Sequence, residues 1–175
     1  MSEKKMSSCF TEIKGNIKTT GSIHISRGKY IEVSEAKDKL YALQIQYSRC
    51  IYSHETALFL HGFSGPPKEI TVTCPQGYNV QSLKKKGIVI KKVILTNYGS
   101  DIEECKTPFG NSVRVYSIER TLCDILRGSG SELSVINSAM KRYAALENRN
   151  PEKLLEIADR LHVRPKVLRY MEVLL

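Results

Sequence analysis

Apolar and polar side chains alternate between residues 23 and 33. Ile23 and Ile25 are set against His24 and Ser26, Arg27-Gly28 interrupts, and Lys29-Tyr30-Ile31-Glu32-Val33 returns. Two period-two runs around an X-Gly pair predict a β-hairpin with a basic tip. The period then lengthens. Leu40, Leu43 and Tyr47 fall three to four apart, predicting a helix over 34–47, and Ile51-Tyr52 is a short extended piece. Ser53 has N-cap chemistry, Glu55 suits the first turn of a helix, and Gly62 stands at its C′ position. The β-branched runs at 70–74 and 88–95 predict strands. A weaker strand is expected over 103–106 and another over 111–116, joined through Pro108-Phe109-Gly110-Asn111 as a hairpin.

From Ser117 the pattern is helical. Ser117 caps a helix bearing Ile118, Leu122, Ile125 and Leu126, and Gly128-Ser129-Gly130 breaks it. Ser131 is expected to cap the next, which carries Val135, Ile136, Ala139, Met140 and Tyr143. Asn150-Pro151 opens a third helix, and Pro165 a fourth. Strands followed by amphipathic helices predict an α+β fold. A small mixed or antiparallel sheet is packed by a C-terminal set of helices over 34–175. The hairpin at 22–33 precedes it as a small basic element within 1–33. In residues 1–21, Phe10, Ile13 and Ile17 have helical spacing, weakened by Gly15 and nearby threonines.

Charge adds the first functional hint. The 175 residues carry 27 Lys+Arg against 18 Asp+Glu, a net charge of +9. Such a balance favours a nucleic-acid partner, because Lys and Arg displace counterions from phosphates. Candidate DNA contacts are Arg27 and Lys29 at the hairpin tip and the cluster Lys84, Lys85 and Lys86. Lys91 and Lys92 suit either phosphate contact or protection of a sheet edge. The five cysteines are odd in number and widely spaced, with no C-x-x-C. Neither a disulfide framework nor a zinc site is expected, nor any other metal or cofactor. No apolar run spans a bilayer and no signal peptide opens the chain, so a cytoplasmic protein without membrane contact is expected.

Three constellations invite chemistry. Ser53-His54-Glu55 has triad residue types, but consecutive positions point apart, so capping accounts for them better. Glu104-Cys105-Lys106 matches the E-x-K half of a PD-(D/E)-x-K nuclease, in which carboxylates hold a divalent metal. Asp101 lies too near to be the first acid, which leaves Glu69. Residues 157–170 have a helix-turn-helix look with His162 at the usual glycine position, and two core helices joined by a tight turn give the same pattern. A catalytic set is not expected.

Three segments read together resemble one family: Tyr52-Ser-His-Glu-Thr-Ala-Leu-Phe-Leu-His-Gly62, Ile70-Thr-Val-Thr-Cys-Pro-Gln-Gly77, and Lys106-Thr-Pro-Phe-Gly-Asn-Ser-Val-Arg-Val-Tyr-Ser-Ile-Glu-Arg-Thr-Leu-Cys-Asp124. The ending Lys166–Leu175 is similar too. The chain resembles the AbiEi-type antitoxins of type IV toxin–antitoxin (abortive infection, phage-defence) systems. That resemblance implies an N-terminal winged helix-turn-helix acting as a transcriptional regulator of its own operon. It also implies a C-terminal domain that neutralises a nucleotidyltransferase-type toxin without a stable complex. Here 22–33 matches the wing, while the residues before it are too few and too polar to supply the family's recognition helix. The expected division is therefore a remnant winged helix at 1–33 and an antitoxin domain at 34–175. The family-motif residues, structural or antitoxic, are Ser53, His54, Glu55 and Thr56, with Glu119, Arg120 and Asp124. Arg120 and Asp124, four apart on a helix, can pair.

Overall fold

A computed structural model describes residues 17–18, 22–26, 29–32, 35–128 and 131–174. Two sheets are present among them. The first joins β1 (Ile17–Lys18), β2 (Ser22–Ser26) and β3 (Lys29–Glu32), all antiparallel. The hairpin expected from the alternating run is therefore present, although its tip, Arg27-Gly28, lies outside the described residues. Ile17 pairs with Ile23 in β1 and is strand, not helix. Phe10 and Ile13 lie outside the described residues.

The second sheet has five strands: β4 (Ile51–Tyr52), β5 (Thr71–Pro75), β6 (Val89–Val93), β7 (Ile102–Lys106) and β8 (Ser112–Tyr116), in the order β6-β5-β4-β8-β7. It is mixed: β5–β6 and β4–β8 are parallel, β4–β5 and β7–β8 antiparallel. The fold is α+β, as the pattern of strands and helices implied. The short extended piece expected at 51–52 is present and forms the central strand of the sheet. It is short because a side chain continues it. Gln44 lies on α1 (Lys39–Gln46), and its amide Nε2 donates to Cys50 O (3.0 Å) and Arg114 O (2.9 Å). Its Oε1 accepts from Arg114 N at 2.6 Å. The carboxamide thus fills the place of a peptide group between β4 and β8, satisfying backbone atoms that a buried sheet cannot leave unpaired.

Helix α1 begins at Lys39 rather than Ser34. A 3-10 turn occupies Glu35–Lys37, and Asp38 is the N-cap, its Oδ1 accepting from Tyr41 N at 3.1 Å. The other carboxylate oxygen of Asp38 accepts from Thr107 Oγ1 and Asn111 Nδ2, which pins the β7–β8 turn to the start of α1. Tyr52 Oη donates to Leu40 O at 2.6 Å. Leu40, Leu43 and Tyr47 pack with Tyr52, Val72, Cys74, Leu83, Val113 and Val115 in one core.

Helix α2 (His54–Leu60) ends as expected, with Gly62 at φ +74°. Two short helices carry no clear periodicity and were not foreseen: α3 (Gln81–Lys85) and α4 (Leu95–Tyr98). The strand expected over 88–95 is thereby cut back to 89–93. Helices α5 (Ile118–Leu126), α6 (Leu133–Ala144), α7 (Pro151–Arg160) and α8 (Arg164–Leu174) form a second core with Leu58 and Phe63 of the α2 region. Ser117 caps α5 by accepting from Arg120 N, and Asn150 caps α7. Ser131 does not cap α6. That position falls to Glu132, whose side chain makes no capping bond, while Ser131 Oγ donates to Glu55 Oε1 at 2.6 Å. Arg164 rather than Pro165 opens α8.

The helix pair α7–α8 belongs to the core. Ala158, Leu161, Val163 and Val167 are buried and His162 makes the turn at φ +59°. Three of its basic side chains bond within the molecule: Arg160 to Asp101, Arg164 to Asp159, and Lys166 to Leu126 O.

Replacing Gln44 by Ala orphans three backbone groups, the buried Cys50 carbonyl and the half-buried amide and carbonyl of Arg114. Urea unfolding of Gln44→Ala should show a loss of about 3 kcal/mol, since each unsatisfied buried group costs about 1–3 kcal/mol with partial relaxation. A loss below about 1 kcal/mol would mean that the strand gap is not held by this carboxamide.

Candidate functional site

Strands β4 and β8 run parallel as neighbours, and each feeds directly into a helix, β4 into α2 and β8 into α5. The two strand-to-helix junctions therefore lie together at one end of the sheet. They bring together Ser53-His54-Glu55-Thr56 and Glu119, Arg120 and Asp124. All of these are buried except Glu55, which is half-buried.

Ser53 occupies the N-cap position of α2, but its hydroxyl does not cap the helix. Its backbone is extended like the strand before it, and Oγ accepts from Thr73 Oγ1 at 2.9 Å while lying 3.1 Å from His54 Nδ1. His54 adopts φ +52°, a left-handed conformation costly for a side chain with a Cβ. Its pKa is lowered to about 3, chiefly by burial and further by the charges of Lys91 and Arg120. The ring is thus neutral at physiological pH. Thr56 Oγ1 accepts from Thr71 N at 2.8 Å, tying α2 to β5.

Arg120 is fully buried. Its Nε pairs with Asp124 Oδ2 at 3.1 Å, its Nη1 donates to Asn97 O at 3.0 Å, and Asp101 Oδ2 stands 3.5 Å from Nη1. The guanidinium lies over the Tyr116 ring, 4.6 Å from its centroid. The Arg120–Asp124 pair is therefore part of a buried network and not an exposed helix pair. Asp101, at φ +62°, also takes Arg160, so two arginines converge on one carboxylate. Burial raises the Asp124 pKa, and Arg120 opposes that rise. Among the described residues, the buried side-chain atoms without a hydrogen-bond partner are Ser100 Oγ, Arg120 Nη2 and Arg160 Nε, all grouped around Asp101. Glu119 binds Lys153 of α7 at 3.1 Å, and Lys153 also reaches Glu103.

Beside this centre opens a cleft of about 340 Å³. Its charged lining is Glu55, Lys68, Glu69, Lys91 and Glu132, with Thr71 between them. Three carboxylates among two ammonium groups do not make a phosphate cradle. The mixture suits a polar, hydrogen-bonding surface.

The predicted DNA contacts disperse. Arg27 lies outside the described residues. Lys29 turns inward, its Nζ donating to Ile45 O at 2.8 Å where the carbonyls at the end of α1 attract a cation. Lys86 donates to Gln46 Oε1 at 2.6 Å and lies 5.4 Å from the Tyr47 ring centroid. Lys84 and Lys85 are exposed at the end of α3. Lys91 and Lys92 sit on β6, an edge strand, as edge protection requires. The nuclease constellation does not assemble. Glu104 and Lys106 share a face of β7, but Glu69 precedes β5, and β8 and β4 intervene, a separation of roughly 14 Å. Among the described residues no three His, Cys, Asp or Glu are placed to hold a metal ion, and no helix is long and apolar enough to cross a membrane.

Asp101, Arg160, Asn97, Thr73 and Tyr116 were missed as members of the centre. The left-handed backbone of Asp101 and the inward turn of Arg160 have no signature in sequence spacing. No protein-family model matches the chain, and no curated protein matches it.

Two outcomes test this description. Arg120→Ala removes the cation from two carboxylates and should cost about 3–5 kcal/mol in urea unfolding, as breaking a buried pair does. His54 is neutral when folded down to about pH 3 and protonates near pH 6.5 when unfolded. Wild-type stability should therefore fall with pH between about 6.5 and 3, by up to about 1.4 kcal/mol per unit beyond His54→Gln. Parallel pH curves for the two proteins would show that His54 does not carry that dependence.

Proposed function

We propose that this chain is a non-enzymatic antitoxin of the type IV kind, acting in the cytoplasm to neutralise a nucleotidyltransferase-type toxin. The observation that supports this reading is the convergence of Ser53–Thr56 with Glu119–Asp124. These strings carry the resemblance to AbiEi-type antitoxins, they are far apart in sequence, and they lie at adjoining strand-to-helix junctions, where the charge of Arg120 is felt at His54. Burial of both strings gives α2 and α5 a fixed relative position. The cleft rim at Glu55, Lys91 and Glu132 is the surface through which the antitoxin effect is exerted. DNA binding and autoregulation form a secondary role, sequence-tolerant and salt-sensitive, resting on Lys84, Lys85 and the hairpin tip.

The test is co-expression with a nucleotidyltransferase-type toxin. The full chain, and the chain lacking residues 1–33, should restore colony formation. A double variant, Glu55→Lys with Lys91→Glu, should lose most of the rescue while keeping its circular dichroism. A folded truncation that gives no rescue would refute the reading. For DNA, phosphate contacts from Arg27, Lys84 and Lys85 give a log–log salt slope of about −3. A titration against the chain's own promoter and a scrambled duplex should give near-equal affinities. Discrimination of roughly a thousandfold, the scale of specific operators, would contradict this.

A further inference from the structure

Cys50 and Cys74 stand directly across the antiparallel β4–β5 pair, one step beyond Ile51↔Thr73 in the register. Their sulfurs are 3.4 Å apart and unbonded. Ser53 N donates to Thr71 O, which makes that pair the hydrogen-bonded kind. Pairs alternate along the ladder, so Cys50–Cys74 is a narrow, non-hydrogen-bonded pair. Cα atoms in such pairs approach to about 4.5 Å, inside the range of about 4.4–6.8 Å found in disulfides. A rotation of the side chains brings the sulfurs to the bonding distance of about 2.05 Å without moving the strands.

We propose that Cys50 and Cys74 are a redox modification site, a cross-strand dithiol that a peroxide oxidises to an intramolecular disulfide. Cys74 is the attacking sulfur. The hydrogen bond from Cys50 lowers its pKa, Lys92 adds to this, and burial opposes it, while the Cys50 thiol is pushed up. The Cys74 thiolate breaks the peroxide O–O bond and becomes a sulfenic acid, and the departing hydroxide takes a proton to leave as water. Cys50 then gives up its proton, its sulfur attacks the sulfenyl sulfur, and a second hydroxide leaves as water. Two thiols and one peroxide thus yield one disulfide and two waters. Both sulfurs are buried, but Cys50 directly follows the exposed turn residues Ser48 and Arg49, so local opening of that turn admits a small oxidant.

The bond would close a loop that contains α2, Ser53, His54, the 64–69 segment of the cleft wall, Thr71 and Thr73. It would lock one half of the buried centre to the sheet independently of what the cleft binds. Cys105 is the internal control, a half-buried thiol 3.6 Å from His61 Nδ1 on a different strand.

The experiment treats the full chain with hydrogen peroxide, blocks remaining thiols under denaturing conditions, and maps peptides without reduction. We expect a product lighter by two hydrogen atoms that carries a Cys50–Cys74 linked peptide. Dithiothreitol should reverse it, and its urea midpoint should exceed that of the reduced protein. Cys105→Ser should still form the link, and Cys74→Ser should not. The proposal is overturned if Cys50 and Cys74 remain fully alkylatable after oxidation, or if either links instead to Cys9, Cys105 or Cys123. The wild-type peptide map decides this even where a cysteine variant fails to fold.

Discussion

A guanidinium with no access to solvent constrains everything around it. Taking the charge of Arg120 out of water is tolerable only with opposite charge and hydrogen-bond acceptors in contact. Asp124 comes from the same helix, one turn on. The others come from elsewhere: Asn97 from α4, Asp101 from the segment before β7, and the Tyr116 ring from the end of β8. The short helix α4 and the left-handed residue at 101 are thus explained by what they deliver to Arg120. The same carboxylate holds Arg160 and so fastens α7 to the sheet end.

A second set of polar contacts works on the opposite flank. Asp38 and Gln44 lie on successive turns of one helical region, and each directs its side chain into the sheet. Asp38 takes the β7–β8 turn, and Gln44 takes the gap beside β4. Helix α1 is therefore part of the sheet's hydrogen bonding as well as its hydrophobic cover. The three-stranded sheet joins through the same helix, because Lys29 reaches the carbonyls at its C-terminal end.

Periodicity located the elements wherever burial is one-sided. The β2–β3 hairpin and helices α5 to α8 were found from period-two or 3.6 patterns, whereas β5, buried along its whole length, was found from its β-branched run. It failed where polar side chains stand in for backbone. Two extended residues do not read as a central strand, and no pattern announces that Gln44 completes it. Ser53 and Ser131 have the residue type of caps, yet tertiary partners take their hydroxyls, Thr73 and His54 in one case and Glu55 in the other. The candidate site was legible as two motif strings and not as a shape. Their meeting depends on the parallel pairing of β4 with β8, which no local signal encodes. The lysines were legible only as charge: the inward turn of Lys29 and Lys86 toward Gln46 and its neighbouring carbonyl has no signal in the sequence.

The position of β4 has a consequence for the order in which the molecule takes shape. Its partner on one side, β5, follows it closely, while its partner on the other, β8, is synthesised only after α3, α4, β6 and β7. During synthesis, β4, β5 and β6 can assemble as soon as they emerge, but one flank of the central strand stays open, with only Gln44 beside it. Arrival of Arg114 closes that flank, and the next few residues deliver Arg120 to its carboxylates. Completion of the sheet and burial of Arg120 therefore both wait on β8 and the residues just after it, while Arg160 can join Asp101 only once α7 has been made.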